Sequence, residues 1–213
     1  GTSGSLTKFN GTSSVTNAVV DVDYLQQDLT LIAYQALGSG IKCFNLACPN
    51  PLLAFQSNGI TTGNCRGAAI YIPKATTLTG VKFWSTGAGS LTSTGYNGFG
   101  LYSYSGGVCT LVASTTNDVT IWNGTANTLQ TKAFSSTYNA SAGIYYLLGL
   151  VNGTGTAPSV GGAGNLGNAN GSTWDFTNSA KVCFLYGMGT SLQSSFNISS
   201  ATGNIAAPAF FVY

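Results

Sequence analysis

The feature that most restricts what this chain can become is the run from Phe99 to Ala113. Phe99, Leu101, Tyr102 and Tyr104 lie on one side of Ser105, Gly106 and Gly107, and Val108, Leu111 and Val112 on the other. Two β-prone runs joined by a glycine pair predict a tight hairpin, because only residues that take positive φ freely can close it in two positions. Around it, residues 78–150 read as strand, turn, strand, repeatedly. Residues 78–84 form an apolar run before the hairpin, and 144–151 are apolar at nearly every position. That second run is expected to be a central strand covered on both faces. A buried helix segment is the competing reading, and the run's shortness, its aromatics and the interruption at Gly149 favour the strand.

Composition points the same way. Only 6% of the 213 residues are charged, there is neither Glu nor His, and Gly, Ser, Thr and Asn fill the gaps between apolar runs. A long surface helix needs Glu, Lys and Arg on its wet face, and this chain cannot supply one. The expected fold is all-β, with enough chain for one β-sandwich and a small appendage but not for two full domains. The net charge is +2, with a single Arg and the lysines scattered from Lys8 to Lys181, which leaves no basic patch to neutralise a phosphate backbone. No apolar run approaches the ~20 residues of a membrane-spanning helix, so no membrane insertion is expected. The start has neither the basic flank nor the apolar centre of a signal peptide, and the chain reads as a mature product or excised fragment.

Five cysteines make an odd number, so at least one is a free thiol or pairs between chains. Cys109 and Cys183 sit in β-type apolar runs and are expected to behave as small buried hydrophobes. Cys43, Cys48 and Cys65 gather around a Pro-containing loop. A zinc site is one reading of the trio, disfavoured because there is no His and the spacing is unlike a paired-cysteine knuckle. A local disulfide of Cys43 with Cys48 or Cys65 is another.

Taken in order, residues 1–30 differ from the rest. They hold Asp21, Asp23 and Asp28, three of the five acids, and too few large side chains to fold alone. An extended stalk completed by neighbouring copies is expected there, followed by a head over 31–213. In the head, 29–37 reads as the first strand and 45–64 as a long loop with a helical turn near Leu52. Strands are expected at 66–72, 78–84 and 130–134, with 138–143 as a turn. Residues 152–170 are nearly all Gly, Asn, Ala, Ser and Thr and are expected to form an exposed loop at the tip. The last strands fall at 180–186 and 207–213, the apolar run that ends on Tyr213 being buried in the sheet or in a subunit contact. This rhythm suits a jelly roll.

Two sets of residues carry a resemblance. Lys8, Phe9, Asn10 and Gly11, then Ala18 and Val19, then Asp23, Tyr24 and Leu25, resemble the segments that link shaft to tip in bacteriophage tail fibres and other virion fibres. Lys74 to Val81, Tyr96 to Gly107, Leu111 to Thr115 and Ala142 to Tyr146 are similar to the jelly-roll-like tips of phage structural proteins. The resemblance implies a homotrimeric, non-enzymatic fibre tip on a virion, extracellular after release. Its partners would be other fibre, baseplate or capsid proteins and a bacterial surface receptor such as a polysaccharide. A carbohydrate-binding module or adhesin domain of a bacterial protein is the alternative.

The residues themselves offer little for catalysis. Without His, the Ser-His-Asp and Cys-His arrangements are excluded in their usual form. Glycoside hydrolysis needs two placed carboxylates, and the head holds only Asp118 and Asp175, each in a turn-like context where capping its own backbone is the simpler role. Gly-rich stretches at 161–164 and 186–189 lack the lysine and following helix of a phosphate loop. Six Asn-X-Ser/Thr sequons, at Asn10, Asn123, Asn139, Asn152, Asn170 and Asn197, are expected from composition alone and, on a phage protein, to carry no sugar. No cofactor or metal is expected. What remains are aromatics beside amides or a carboxylate in polar loops: Tyr96 with Asn97, Trp122 with Asn123, and Trp174 with Asp175. These six are the expected receptor-binding residues, a ring face stacking on a pyranose while the polar partner meets its hydroxyls. The competing reading has each ring folding back to plug the end of the sandwich.

Overall fold

The computed structural model describes residues 6–10, 14–18, 40–46, 56–163, 183–203 and 207–213. The chain divides into two compact units, Gly1–Ser39 and Gly40–Tyr213, where sequence had suggested a boundary after residue 30. In the first unit β1 (Leu6–Asn10) pairs antiparallel with β2 (Ser14–Ala18), from Leu6 opposite Ala18 to Asn10 opposite Ser14. The remainder of the expected stalk, and most of the strand expected at 29–37, lie outside the described residues.

The second unit is all-β, with no helix of seven residues or more among the described residues. Its strands are β3 (Phe44–Asn45), β4 (Gln56–Gly59), β5 (Asn64–Ile72), β6 (Thr76–Gly87), β7 (Ser90–Ser93), β8 (Gly98–Ser105) and β9 (Val108–Ser114). They continue as β10 (Thr128–Ala140), β11 (Gly143–Leu150), β12 (Gly153–Thr156), β13 (Ser159–Ala163), β14 (Cys183–Gly187), β15 (Ser195–Asn197), β16 (Thr202–Gly203), β17 (Ala207–Pro208) and β18 (Phe210–Val212). Two antiparallel sheets make the sandwich. The larger runs β15-β9-β8-β11-β5-β14-β16, with β3 beside β5. The smaller runs β10-β6-β13-β17, with β18 beside β6 and β4 beside β13. Successive long strands repeatedly switch sheet, as the jelly-roll rhythm requires.

The expected hairpin forms between β8 and β9. Ser105 pairs with Val108, and Gly106 and Gly107 close the turn at φ 56° and 86°, two positive values that a side chain would resist. The extra residue Val112 bulges, so that Leu101 faces Ala113 while Tyr102 faces Leu111. At the centre, β11 is buried from Tyr145 to Leu150, flanked by β5 and β8. Its odd and even residues both meet apolar partners, as its unbroken apolar sequence predicted.

Between the sheets, Phe99 of β8 stands 4.9 Å from Phe83 of β6 and 5.0 Å from Phe210 of β18, ring centre to ring centre. The opposite face of the larger sheet carries a second cluster of Cys65, Tyr102, Tyr146, Leu148 and Phe184. It is covered by Met188, Phe196 and Ile198 from the segment after β14. A β-carbon on Gly67 would lie 2.3 Å from the Phe184 ring, so the ring lies flat on the strand only because that position is glycine.

Four local expectations are corrected. Within the expected 45–64 loop, Gln56–Gly59 is β4, paired with β13, and the helical turn expected near Leu52 lies outside the described residues. Residues 138–140 belong to β10, and only Ser141 and Ala142 connect it to β11. Residues 153–156 and 159–163 are strands, not a tip loop: β12 pairs with β7, and β13 with β4, β6 and β17. Glycine lets that backbone come close, since a β-carbon on Gly153 would sit 2.7 Å from Thr92 O. Residues 164–170 lie outside the described set. Finally, Cys43 and Cys65 are both free and buried. β3 pairs with the Ile70–Tyr71 part of β5, which puts Cys43 about 20 Å from Cys65 along the strand, far beyond disulfide reach. Cys48 lies outside the described residues. Cys109 and Cys183 are buried, as expected.

Candidate functional site

The sandwich has two unlike ends. At one, β5 turns into β6 through residues 73–75, β8 into β9 through two glycines, and β10 into β11 through two residues. The chain enters this unit at the same end: Lys42 N donates to Val212 O, and Asn45 Nδ2 donates to Pro208 O and Phe210 O at 2.9 and 3.0 Å. At the other end lie the thirteen residues between β9 and β10 and the seven between β14 and β15. Their backbones interlock with the neighbouring loops. Gly63 N donates to Val151 O, Gly89 N to Trp122 O, Tyr96 N to Thr190 O and Met188 N to Gly63 O.

Three of the residues expected to bind, Tyr96, Asn97 and Trp122, are ones that lock these loops. Asn97 is fully buried. Its Oδ1 accepts from Asn152 N at 2.8 Å while its Nδ2 donates to Asn152 O at 2.7 Å, and Asn152 Nδ2 donates to Tyr96 O. Its backbone amide donates to Asn117 Oδ1 and its carbonyl accepts from Asp118 N. The Tyr96 hydroxyl sits 2.7 Å from Thr115 O and 3.1 Å from Phe99 O, and burial raises its pKa. Thr62 makes a matching clasp on Gly153, accepting from its N–H and donating to its carbonyl.

Trp122 ends a short 3₁₀ turn, Val119–Trp122, and is 1% exposed. Its ring lies 5.4 Å from Phe83 and 5.3 Å from Phe99, wedged over Gly149, where a β-carbon would come within 3.2 Å of the indole. Its Nε1 is buried without an acceptor. With no exposed face, the Trp122 ring cannot stack on a ligand, and Asn97 has no free hydrogen-bonding group. For these two the expectation is corrected: both plug the end of the sandwich. Asn123 is exposed, with Oδ1 accepting from Leu91 N at 3.3 Å. Trp174 and Asp175 lie outside the described residues.

Asp118 caps the 3₁₀ turn, as the simpler reading held. Its carboxylate accepts from Thr120 N at 2.9 Å and pairs with Lys132 Nζ at 2.6 Å. The Lys132 hydrogen bond, followed by that of Thr120, holds its carboxyl down at about 2. Burial pushes the Cys43, Cys65 and Cys109 thiols up to about 12, which disfavours the thiolate that a nucleophile needs. Among the described residues no group of three His, Cys, Asp or Glu is placed to hold a metal.

What the loop end presents outward is hydroxyl and amide: Thr92, Thr94, Thr116, Asn123, Thr154 and Thr190 are all exposed. Sequence reasoning passed over Trp84, which lies in β6 between buried Phe83 and buried Ser85 and therefore points to the outer face of the smaller sheet. Strand alternation was the signal that could have found it. Comparison with protein-family models, with characterised proteins and with solved structures finds no match.

Proposed function

We propose that this chain is the tip of a bacteriophage fibre that binds a host cell-surface receptor, a glycan, as a homotrimer and without catalysis. The observation that carries the reading is the polarity of the 40–213 unit: the chain enters at one end and the two longest described connections gather at the other. In a tip, the loops opposite the shaft meet the cell first and can vary without disturbing the core. Exposed threonines and asparagines there supply donors and acceptors matched to sugar hydroxyls. Its partners would be two further copies, other fibre, baseplate or capsid proteins, and a bacterial surface polysaccharide. Its place would be on the virion.

The test measures mass by light scattering and adsorption of labelled chain to bacterial cells before and after periodate oxidation of their surface sugars. A mass of three times 21.8 kDa and periodate-sensitive adsorption are expected. A folded chain that adsorbs to no cell in a broad panel overturns the proposal. The alternative, a carbohydrate-binding module or adhesin domain, is favoured by the self-contained core of residues 40–213, and a monomer that still binds glycan would select it.

A further inference from the structure

Six asparagines in this chain are followed by glycine: Asn10, Asn58, Asn97, Asn123, Asn152 and Asn170. A glycine in that position has no β-carbon to shield its backbone nitrogen, which can therefore reach the preceding side-chain amide. Gly11 and Asn170 lie outside the described residues, and the fold treats the other four asparagines unequally. Asn58, Asn97 and Asn152 are at most 5% exposed. Gly59 and Gly98 are strand residues, opposite Ser159 and Leu150, and the Gly153 amide is held by Thr62 Oγ1 at 2.7 Å. Asn123 alone of the four is exposed. Its N-terminal side is anchored, since Asn123 N donates to Thr120 O and Trp122 O accepts from Gly89 N. Its side chain is placed too, with Oδ1 accepting from Leu91 N at 3.3 Å. Beyond it, Gly124 to Asn127 belong to no strand, and the Gly124 amide donates to none of the described residues.

We infer that Asn123 is a self-modification site, at which the chain converts an amide into a carboxylate with water as the only reagent. The Gly124 nitrogen attacks Cγ of Asn123 and gives up its proton. The bond from Cγ to Nδ2 breaks, ammonia leaves with that proton, and a five-membered imide closes. Water then adds to either imide carbonyl and breaks its bond to nitrogen, leaving aspartate or, where the main chain now runs through the side-chain carbonyl, isoaspartate. Closure needs a rotation about ψ of Asn123, which stands at 8°. The anchored N–H and side chain stay in place while the free part, from Gly124 onward, swings. Closest to a β-carbon on Gly124 is the flexible end of the Gln130 side chain, not backbone. Leu91 N–H meets the oxygen on which negative charge develops, and so polarises the amide for attack. At Asn97 or Asn152 the interlocked loops must open first, and the rate is cut by the fraction of time spent open. The product sets one negative charge at the loop end of a chain whose net charge is only +2. The chemistry is the chain's own and needs no ligand, so it holds whether or not that end meets a glycan.

The experiment ages the folded full chain in mildly alkaline buffer, digests it with pepsin in acid, where imide closure is slow, and maps amide-to-acid conversion at each site by tandem mass spectrometry. Conversion at Asn123 is expected to outrun that at Asn58, Asn97 and Asn152 by about tenfold or more, the factor set by an opening cost of about 1.4 kcal/mol. In urea the four sites should convert within severalfold of one another. Aspartate and isoaspartate should both form at Asn123, and Gly124→Ala should slow the conversion severalfold. Equal rates at the four sites in the folded chain overturn the inference. So does a lead for Asn123 that persists undiminished in urea, since sequence and not fold would then set it. A folded Gly124→Ala chain that converts at the parental rate rules out the imide route. Should that variant fail to fold, the four-site comparison in the parent decides.

Discussion

On the inner face of the eight-stranded sheet, Phe99 meets Phe83, Trp122 and Phe210, rings delivered by both sheets and by the loop between β9 and β10. On its outer face, Tyr102, Tyr146 and Phe184 meet Phe196 and Met188, delivered by one chain segment that crosses over the sheet. These inner rings carry no hydroxyl. On the outer face, two tyrosine hydroxyls fasten the cover: that of Tyr102 donates to Gln193 O at 2.9 Å and that of Tyr186 to Gln193 Oε1 at 3.2 Å. Burial on both faces is therefore reached in two ways. The inner layer is tied into many strands and can open only when the sandwich does. The outer layer depends on residues 188–201 and can open by lifting one segment.

The largest effect expected is at Trp122. Truncation to Ala should cost about 3–5 kcal/mol in urea unfolding, because the cavity lies between two sheets that cannot close on it. Trp122→Phe should cost clearly less, since it keeps a ring and removes a buried N–H that has no acceptor. If both variants melt like the parent, the ring is not part of the core and the inner half of the comparison is wrong.

Next is Phe196→Ala, expected to cost about 3 kcal/mol and to act locally. Native-state hydrogen exchange should show the amides of 188–201 opening well before those of β11, with the gap widening in the variant. Equal exchange in both regions would erase the distinction between the two faces. Tyr102→Phe tests the fastening itself. It keeps the ring and loses the hydroxyl bonded to Gln193 O, so about 1 kcal/mol should be lost, read as faster exchange around Gln193.

The smallest effect lies at the loop end. The Asp118 carboxyl is held at about 2, below its ordinary 3.8, chiefly by the Lys132 hydrogen bond. Its stabilisation is thus fully present above about pH 4 and lost as pH falls through about 2. The pair is partly exposed, so the contribution is about 0.5 kcal/mol. Thermal melts of the parent and Asp118→Asn should differ slightly at pH 6 and converge near pH 2. A difference that persists in acid would assign the effect to the Thr120 cap instead.

How much of this was written in the sequence depends on how local the cause is. The β8–β9 hairpin was legible because its determinants, two β-prone runs and a glycine pair free to take positive φ, lie within fifteen residues. The double burial of β11 was legible because a strand covered on both faces has nowhere to put a polar side chain. The absence of long helices among the described residues followed from the lack of Glu and the scarcity of other charges. The direction of Trp122 and Asn97 was not legible. An aromatic beside an amide in a polar loop has the same sequence whether it faces a ligand or the core. What decides is a space between sheets left open by Gly149, twenty-seven residues along the chain from Trp122, and the backbone of Asn152, fifty-five from Asn97. Residues 153–163 were equally mute, since short side chains leave no apolar period to read. They become strands because β7, β4 and β6 offer them unpaired backbone edges, and a backbone hydrogen bond needs no side chain to specify it.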